Sequence, residues 1–365
     1  MKKNNKKKKI HIIGTVGLPP RYGGFETLTD NLVEHLSKDF DIVVFCSSKF
    51  YKEKLKEYKG AKLEYIPLNA NGIESIIYDS LSMIRSINRS DVMLILGVSG
   101  CIVLPILKKF YKGKIIVNID GLEWKRSKWN SLARNFLKLS EKFAVNYSDA
   151  VISDNRAIQE YVKKEYGKDS YFIAYGGDHL KKEELTKESL ERYPFLKEEY
   201  ALTVCRIEPE NNIHIMLEAF KKYKKMNYVI AGNFELNKYG QELKKKYENE
   251  KNIFMLNIYD RKILNQFRSH CKIYVHGHSA GGTNPSLVEA MYFGLPIIAY
   301  DVIFNRETTK NRAEYFKDAE ELINILENLN YSALERIGKE MFNIAKEEYT
   351  WSKIINKYKN LFNEV

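Results

Sequence analysis

IYVHGHSAGGTNPSLVEAMYFGLPIIAYD, residues 273–301, predicts a strand, a glycine-rich loop, a helix and a second strand in succession. The two predicted strands, Ile273–His278 and Pro296–Val302, are mainly apolar, and the helix is predicted at Pro285–Phe293. Strands that are apolar on both faces are typical of a buried parallel sheet. The segment therefore predicts a strand–helix–strand unit of an α/β protein.

The same alternation runs through most of the chain and pauses once. The predicted N-terminal strands are Ile10–Val16, Asp41–Ser47, Lys62–Leu68, Val92–Val98, Lys114–Ile119, Ala150–Ser153 and Tyr171–Ala174. Residues 176–199 are highly charged and predict a linker, after which strands recur at Tyr200–Ile207, Tyr228–Ala231 and Asn252–Ile258. We expect two α/β domains, residues 1–180 and 181–349, with a C-terminal helix over 350–365 returning to the first domain. Ligands of such folds bind beyond the carboxyl ends of the strands.

Composition limits the class of protein. The 365 residues carry a formal net charge of +12, and five of the first eight residues are lysine. This start predicts either a solvated tail or a segment attracted to an anionic surface, and it lacks the apolar core of a signal peptide. Four well-separated cysteines beside apolar runs predict buried, reduced thiols and a reducing cytosol. No apolar run is long enough to span a membrane.

The loop that precedes Pro285 has the features of a diphosphate site. The backbone N–H groups of Gly281–Asn284 lie at a predicted helix N-terminus, which favours anions, and Asn284 or Thr283 can cap that helix. Glu289, one turn into the helix, is placed to accept hydrogen bonds from both hydroxyls of a ribose. The alternative is an acid that only complements the helix dipole.

A second loop, CRIEPENN at residues 205–212, follows the first strand of the C-terminal domain. Arg206 is its only cation, and a guanidinium in a cleft is a good diphosphate ligand. The alternative is an exposed ion pair of Arg206 with Glu208 or Glu210.

Two further loops follow N-terminal strands. GTVGLPPRYGGFET, residues 14–27, brings Gly23 and Gly24 to the start of a predicted helix, although it matches neither the dinucleotide fingerprint nor the P-loop. NIDGLEWKRSKWN, residues 118–130, combines carboxylates, cations and two tryptophans. This mixture suits a carbohydrate or a membrane surface. The alternative is a loop whose tryptophans pack on the neighbouring helix.

Taken with their order and spacing, these motifs resemble the retaining glycosyltransferases of family 4, which have the GT-B fold. TVGLPPRYGGFET, NIDGLEWKRSKW, CRIEPENN and GGTNPSLVEAM resemble in particular the bacterial capsule and cell-wall rhamnosyltransferases of that family. The resemblance covers nearly the whole chain. It implies two facing Rossmann-like domains with a cleft between them, and transfer of rhamnose from dTDP-L-rhamnose to a lipid-diphosphate-linked sugar.

The resemblance also implies roles for individual residues. Asp120, Arg206 and Glu289 are the expected catalytic residues. The donor is expected to contact Gly23, Gly24, Asn211, Ile258, Tyr259, Gly281, Gly282, Thr283, Asn284 and Ser286. The acceptor is expected to contact Arg21, Glu123, Trp124, Arg126 and Lys128.

Two positions depart from the family pattern. Gly281 stands where the family usually has the first acid of a Glu-x7-Glu pair, which contacts the donor sugar and whose second acid is Glu289 here, and Asn211 stands where the family usually has a lysine. The lost acid favours a donor other than glucose, galactose or mannose, and a 6-deoxy sugar fits. Asp120 lies near the usual position of a histidine that contacts the donor's 6-hydroxyl, a group that rhamnose lacks. Arg21 is a candidate to supply the missing positive charge.

We expect no cofactor and no metal, because no acidic pair stands in a suitable loop. The expected partners are a nucleotide sugar, a polyprenyl-diphosphate-linked sugar and an anionic membrane, which implies a cytoplasmic protein peripheral to the inner face of the plasma membrane. Three alternatives stay open: a family-4 transferase with another donor such as UDP-glucose or a UDP-N-acetyl sugar, a non-catalytic nucleotide-sugar-binding subunit and, least favoured, nucleic-acid binding. The sequence contains no nucleic-acid-binding motif.

Overall fold

The computed structural model describes residues 7–21, 23–126, 129–258 and 260–365. Tyr259 and Lys128, two of the expected site residues, lie outside them. The strands are β1 (Lys9–Ile13), β2 (Asp41–Ser47), β3 (Glu57–Tyr58), β4 (Ala61–Ile66), β5 (Val92–Leu96), β6 (Lys114–Asn118), β7 (Ala150–Ser153), β8 (Tyr171–Phe172), β9 (Tyr200–Val204), β10 (Asn227–Ala231), β11 (Ile253–Leu256), β12 (Ile273–His276), β13 (Ile297–Tyr300) and β14 (Glu314–Phe316). The α-helices are α1 (Gly24–Leu36), α2 (Glu74–Ser86), α3 (Leu104–Phe110), α4 (Ser131–Tyr147), α5 (Arg156–Tyr166), α6 (Lys187–Arg192), α7 (Ile213–Lys222), α8 (Lys238–Tyr247), α9 (Arg261–His270), α10 (Pro285–Tyr292), α11 (Ile303–Thr308), α12 (Ala319–Asn328), α13 (Tyr331–Glu348) and α14 (Trp351–Glu364).

The chain divides into two compact units. Unit 1 contains the residues up to Ala174 together with Ser352–Val365, and unit 2 is Tyr175–Trp351. The expected boundary after residue 180 thus differs from the observed division by six residues, since the intervening segment packs within unit 2.

Each unit is built on a twisted sheet. Among the described residues the strand order is β3-β4-β2-β1-β5-β6-β7-β8 in unit 1 and β11-β10-β9-β12-β13-β14 in unit 2. All pairs are parallel except β3 with β4. Central strands are buried on both faces, as the apolar runs in the sequence predict; β5, for example, is buried along its full length.

Several predicted strands end earlier than expected, because the loops that carry chemistry begin sooner. The strand predicted at Ile10–Val16 ends at Ile13, where Gly14 takes a φ of +91°. A Cβ on Gly14 would lie 2.0 Å from the carbonyl oxygen of Leu96, so only glycine allows this close approach. The short edge strands β3 and β14 were not predicted, since neither has a continuous apolar run.

The charged segment 176–199 is not a free linker. It contains α6, which the Thr186 side chain caps, and a 3₁₀ turn with the buried Phe195. The Phe195 ring packs on Phe254 and Phe267, with ring centroids 4.5 and 5.5 Å apart. Charge composition hides these contacts because the apolar residues that make them are few.

Helix α14 follows its predicted amphipathic pattern. Trp351, Ile354, Ile355, Tyr358 and Leu361 are all buried. From Ser352 onward the helix belongs to unit 1, where it packs by its apolar face.

Candidate functional site

The loop between β12 and α10 is built as a helix N-terminus with its backbone exposed to a ligand. Asn284 caps α10: its side-chain oxygen accepts hydrogen bonds from the backbone N–H of Ser286 at 3.0 Å and from the Ser286 hydroxyl at 2.8 Å. Pro285 occupies the first turn. Asn284, one of the two predicted caps, therefore fills that role, while Thr283 is buried behind it.

Gly281 combines an unusual backbone with open space. Its φ is +114°, a conformation that side-chain-bearing residues rarely adopt, and no heavy atom lies within 4 Å of the position that a Cβ would occupy. There is room for a side chain at position 281. The backbone conformation, however, disfavours an acid there.

Glu289 is held by two partners. Its Oε2 lies 2.6 Å from Nη2 of Arg268, and its Oε1 lies 3.5 Å from Nε2 of His179. The Arg268 side chain is only 5% exposed and that of Glu289 15%. The carboxylate is thus an anchored hydrogen-bond acceptor rather than a mobile surface acid.

His179 is oriented in turn by Trp351. The indole Nε1 donates to Nδ1 of His179 at 3.0 Å, so in the neutral ring Nε2 carries the proton and faces Glu289. Burial lowers the pKa of His179 below its usual range, and the nearby Glu289 opposes this effect. The imidazole therefore acts as a neutral donor near pH 7.

The residues before His179 fit closely against the same helix. A Cβ on Gly177 would lie 2.8 Å from the carbonyl oxygen of Val288, and one on Gly176 would lie 2.6 Å from Cγ of Trp351. Asp178 accepts a hydrogen bond from the backbone N–H of Trp351 at 2.7 Å. The Gly-Gly-Asp-His sequence thus brings His179 to Glu289.

Sequence reasoning missed Arg268 and His179. Arg268 follows Leu264 by four residues in α9 and therefore lies on the same helical face. A cation on the inward face of this helix was the sequence feature that could have indicated a buried ion pair. His179 lies in the segment that composition assigned to a linker, and it gave no signal of its own.

The loop after β9 lies beside the loop after β12, because these two strands pair in the sheet. Ser279 donates from its backbone N–H and from its hydroxyl to the carbonyl oxygen of Glu210, at 2.8 Å in each case. Asn212 donates to the carbonyl oxygen of Gly277 at 2.9 Å. These bonds bring the Arg206 loop and the Gly281 loop together.

Arg206 and Asn211 have different surroundings. Arg206 is exposed. Asn211 is 4% exposed, and its side chain donates to the carbonyl oxygen of Arg206 at 2.6 Å. The expected donor contact of Asn211 stays a prediction, but the amide already shapes the loop that presents Arg206.

Behind the Gly281 loop two imidazoles stack. The rings of His276 and His278 are 4.4 Å apart at 10°. His276 is fully buried, and neither of its ring nitrogens has a partner among the described residues. Burial lowers its pKa to about 3, so the ring is neutral.

In unit 1, the Asp120 loop takes a constrained shape. Asp120 has a φ of +56°, and its backbone N–H donates to the side-chain oxygen of Asn118 at 3.0 Å. Arg126 pairs with Glu123 at 2.7 Å and lies 4.0 Å from Asp120. The two acids and Arg126 therefore form one cluster, as their spacing in the sequence suggested.

Trp124 packs against the neighbouring helix. Its Nε1 donates to Glu141 at 3.1 Å, and Nζ of Lys138 lies 4.7 Å from the centre of the indole. Glu141 is fully buried and also accepts from the hydroxyls of Tyr161 and Tyr166. The structural alternative thus accounts for the position of Trp124. Trp129 donates to Glu123 at 3.1 Å.

The first glycine-rich loop leads into α1. A Cβ on Gly23 would lie 2.6 Å from Oε2 of Glu26, so a carboxylate already lies beside this helix N-terminus, where Gly24 is the first residue. Arg21 is exposed and lies 5.2 Å from the centre of the Tyr51 ring. An anion at Gly23 and Gly24 would have to share this space with Glu26.

Ile258 follows the end of β11 and is half-buried, two residues before Asp260 caps α9. Over the described part of the chain, no three His, Cys, Asp or Glu side chains are grouped so that they could hold a metal ion. The four cysteines are buried and unpaired, as predicted.

The two units are Rossmann-like domains, and the GT-B fold consists of two such domains. Solved structures of that fold match nearly the whole chain. Sucrose-phosphate synthase from Thermosynechococcus elongatus superposes with a TM-score of 0.81, covering 98% of this chain and 99% of its own at 15% identity. HepE from Anabaena, solved with UDP-glucose, superposes with a TM-score of 0.78, covering 99% and 100% at 15% identity. The fold is therefore GT-B, as the sequence predicts.

Two family models match the two parts of the chain separately. Residues 186–334 match "Glycosyl transferases group 1", and residues 7–178 match a domain of unknown function, DUF1972. An uncharacterized glycosyltransferase of Methanocaldococcus jannaschii is 23% identical, over 94% of this chain and 95% of its own length. Residues 186–334 are thus similar to the group 1 glycosyltransferases, and nearly the whole chain is similar to a glycosyltransferase of comparable length.

Proposed function

We propose that the protein transfers rhamnose from dTDP-L-rhamnose, with retention of configuration, to a lipid-diphosphate-linked sugar, with glucose as the expected acceptor sugar. The observation that carries a nucleotide-sugar donor is the anchored Glu289 beside the Gly281–Asn284 loop. Glu289 accepts hydrogen bonds from the ribose, and the loop amides surround the diphosphate.

Arg206 completes the leaving-group site. Its exposed guanidinium lies on a loop tied to the Gly281 loop, so it can neutralise charge as the glycosidic bond to the diphosphate breaks. In this scheme the departing phosphate oxygen takes the proton of the acceptor hydroxyl, which attacks from the same face. No protein nucleophile is required, and Asp120 orients the acceptor.

Gly281 supports the choice of sugar. Relatives with an acid at this position use it to contact hydroxyls of the donor sugar, and here the position is open and bears no side chain. A 6-deoxy sugar fits a site with fewer polar contacts. UDP-glucose is the second candidate donor, because HepE, a protein of the same fold, was solved with it.

The proposed location follows from the acceptor. A polyprenyl diphosphate resides in the membrane, so we propose that the protein acts as a peripheral protein on the cytoplasmic face of the plasma membrane. Within the described residues, no helix is long and apolar enough to cross a bilayer.

The test is a panel of nucleotide sugars incubated with purified protein and a lipid-diphosphate glucose, with product anomers assigned by NMR. We expect turnover with dTDP-L-rhamnose that persists in EDTA. Glu289→Ala and Arg206→Ala should each lower kcat/KM at least about tenfold, equivalent to about 1.4 kcal/mol. Lys238→Ala, on the exposed face of α8, is the matched control.

Each outcome separates one part of the proposal. Preferred turnover of UDP-glucose would overturn the rhamnose assignment and leave the transferase assignment intact. Binding of nucleotide sugar without turnover of any donor would favour the non-catalytic alternative. Full activity of both Glu289→Ala and Arg206→Ala would overturn the site.

A further inference from the structure

Helix α2 of unit 1 has large apolar side chains on its exposed face. Its exposed face carries Ile77, Leu81 and Ile84, which are 54%, 36% and 52% exposed, and Ile73 directly before the helix is 80% exposed. An ordinary surface helix would bury this stripe.

The buried face of α2 is mixed. It carries the apolar Tyr78 and Met83 together with four polar side chains, Ser75, Asp79, Ser82 and Ser86. Asp79 accepts from the Ser99 hydroxyl at 2.7 Å, and Ser86 bonds to His11 at 2.8 Å. These internal contacts and the buried Tyr78 and Met83 hold this face of α2 against unit 1, so the stripe with Ile77, Leu81 and Ile84 stays on the outside.

Two neighbouring helices extend the apolar surface. Ile106 and Phe110 of α3 are 66% and 64% exposed, and Leu132 and Leu139 of α4 are 81% and 43% exposed. The connections β4–α2–β5, β5–α3–β6 and β6–α4–β7 all advance in one direction along the sheet. Right-handed crossovers therefore place the three helices on the same face. We call this face, formed by α2, α3 and α4, the helical face.

The charges on the helical face have one sign. Its exposed charged side chains are the cations Arg85, Lys109, Arg134 and Lys142. The acids of the three helices do not offset this charge. Asp79 and Glu141 are buried, and Glu74 pairs with Lys49 at 2.8 Å. Large apolar side chains among unopposed cations are the composition of a surface that lies in an anionic lipid interface.

Basic residues also line the space next to α3. An open pocket of about 670 Å³ is lined by residues 111–114, which follow α3 directly, and by Lys7 and Lys8. The lining also includes Lys112 and Lys114, whereas Asp91 is its one acidic side chain; Lys114 lies 3.8 Å from Asp149 outside the lining. The positive charge therefore continues past the end of α3.

We propose that the helical face docks on an anionic phospholipid leaflet, with the isoleucines of α2 entering the interface and the cations of α3 and α4 contacting lipid phosphates. A second copy of this chain is a poorer occupant, because a two-fold interface would pair this surface, whose exposed charges are all positive, with a copy of itself. This inference deepens the membrane part of the proposed function and moves the contact from the Trp124 loop to the helices.

The apolar part is tested with Ile77→Ser/Ile84→Ser in the full-length protein, without donor or acceptor. The matched control is Leu236→Ser/Ile303→Ser in unit 2, where the replaced side chains are 74% and 56% exposed. Flotation with vesicles of 70% phosphatidylcholine and 30% phosphatidylglycerol should show at least about a fivefold lower partition coefficient for the α2 variant and less than about a twofold change for the control.

The electrostatic part is tested with Lys109→Gln/Arg134→Gln against the matched control Lys187→Gln/Lys238→Gln, whose lysines are 92% and 90% exposed in unit 2. We expect about tenfold weaker binding for the first pair only, since each cation at the surface contributes strongly to binding. Binding should fall with added salt and be weak on pure phosphatidylcholine vesicles.

Three results would overturn the proposal: equal losses in surface variants and their controls, binding that disappears only on deleting residues 2–6, or a shift from dimer to monomer in sedimentation with unchanged vesicle binding. The last would assign the face to a contact between copies.

Circular dichroism and melting temperature show whether each variant is folded. Since flotation needs no turnover, failure here leaves the transferase assignment intact, and an inactive protein that floats leaves the docking surface intact.

Discussion

The guanidinium of Arg268 lies 2.6 Å from the carboxylate of Glu289, and both side chains are largely buried at the carboxyl side of unit 2. This pair holds the carboxylate in a fixed direction. Glu289 lies on the helix that follows the loop where we propose the nucleotide binds.

Removing Arg268 should therefore cost both stability and donor affinity. Arg268→Met leaves Glu289 without its cation, and we expect the free energy of unfolding to fall by about 3 kcal/mol. Urea denaturation measures the loss. The double variant Arg268→Met/Glu289→Gln should recover part of it, because the unpaired charge is then gone. An additive double variant would contradict the pairing.

Two buried histidines should make the fold sensitive to mild acid. Burial lowers the pKa of His276 to about 3 and that of His11 to about 4, whereas both titrate near 6.5 when unfolded. The unfolded state thus binds more protons below pH 6.5, and stability falls as pH decreases from there toward the folded pKa values. Each histidine contributes a slope of up to about 1.4 kcal/mol per pH unit.

The measurement is urea denaturation between pH 7.5 and 5. His276→Phe should flatten the decline, while the exposed His270→Phe should leave it unchanged. A decline of equal slope in both variants would mean that other groups cause it.

Gly281 should tolerate side chains poorly for a backbone reason alone. With φ at +114° and no atom within 4 Å of a Cβ position, Gly281→Ala meets strain but no clash. We expect the donor KM to rise about tenfold through about 1–3 kcal/mol of backbone strain as the loop changes shape. Gly72→Ala, at φ +71° in open space outside the site, is the control for strain without loss of donor affinity. Donor titration by calorimetry distinguishes the two.

Trp124 should depend on Glu141 for its position. Glu141→Gln disturbs the buried acceptor of three half-buried donors, and we expect a loss of about 2–3 kcal/mol in unfolding free energy. Glu165→Gln removes only a partly exposed ion pair with Lys138 and should cost less than about 0.5 kcal/mol. Tryptophan fluorescence should shift in the first variant alone. Equal stability of both would show that the Glu141 contacts contribute little.

The fold was largely readable from the sequence because buried parallel strands leave continuous apolar runs. The cap at Asn284 and the buried stripe of α14 were predicted from spacing in the same way. Strand ends were less accurate, since the change from strand to loop depends on contacts such as that of Gly14 with Leu96.

The sequence predicted only part of the site, because the residues that hold Glu289 come from distant segments of the chain. Arg268 and His179 meet Glu289 through tertiary packing, which no local spacing encodes. The exposed isoleucines of α2 present a different difficulty. They repeat with a clear helical period, but this apolar stripe lies on the solvent-facing side of the helix.

The return of α14 to unit 1 has a consequence for biosynthesis. Unit 2 is one continuous stretch, Tyr175–Trp351, so the ribosome makes all of it before the helix that completes unit 1. At about 5–20 residues per second this takes roughly 10–35 s, during which Phe40 lacks its partner Phe362 and Asn118 lacks Tyr358. The N-terminal part of unit 1 therefore cannot complete its core until the whole of unit 2 has been synthesised.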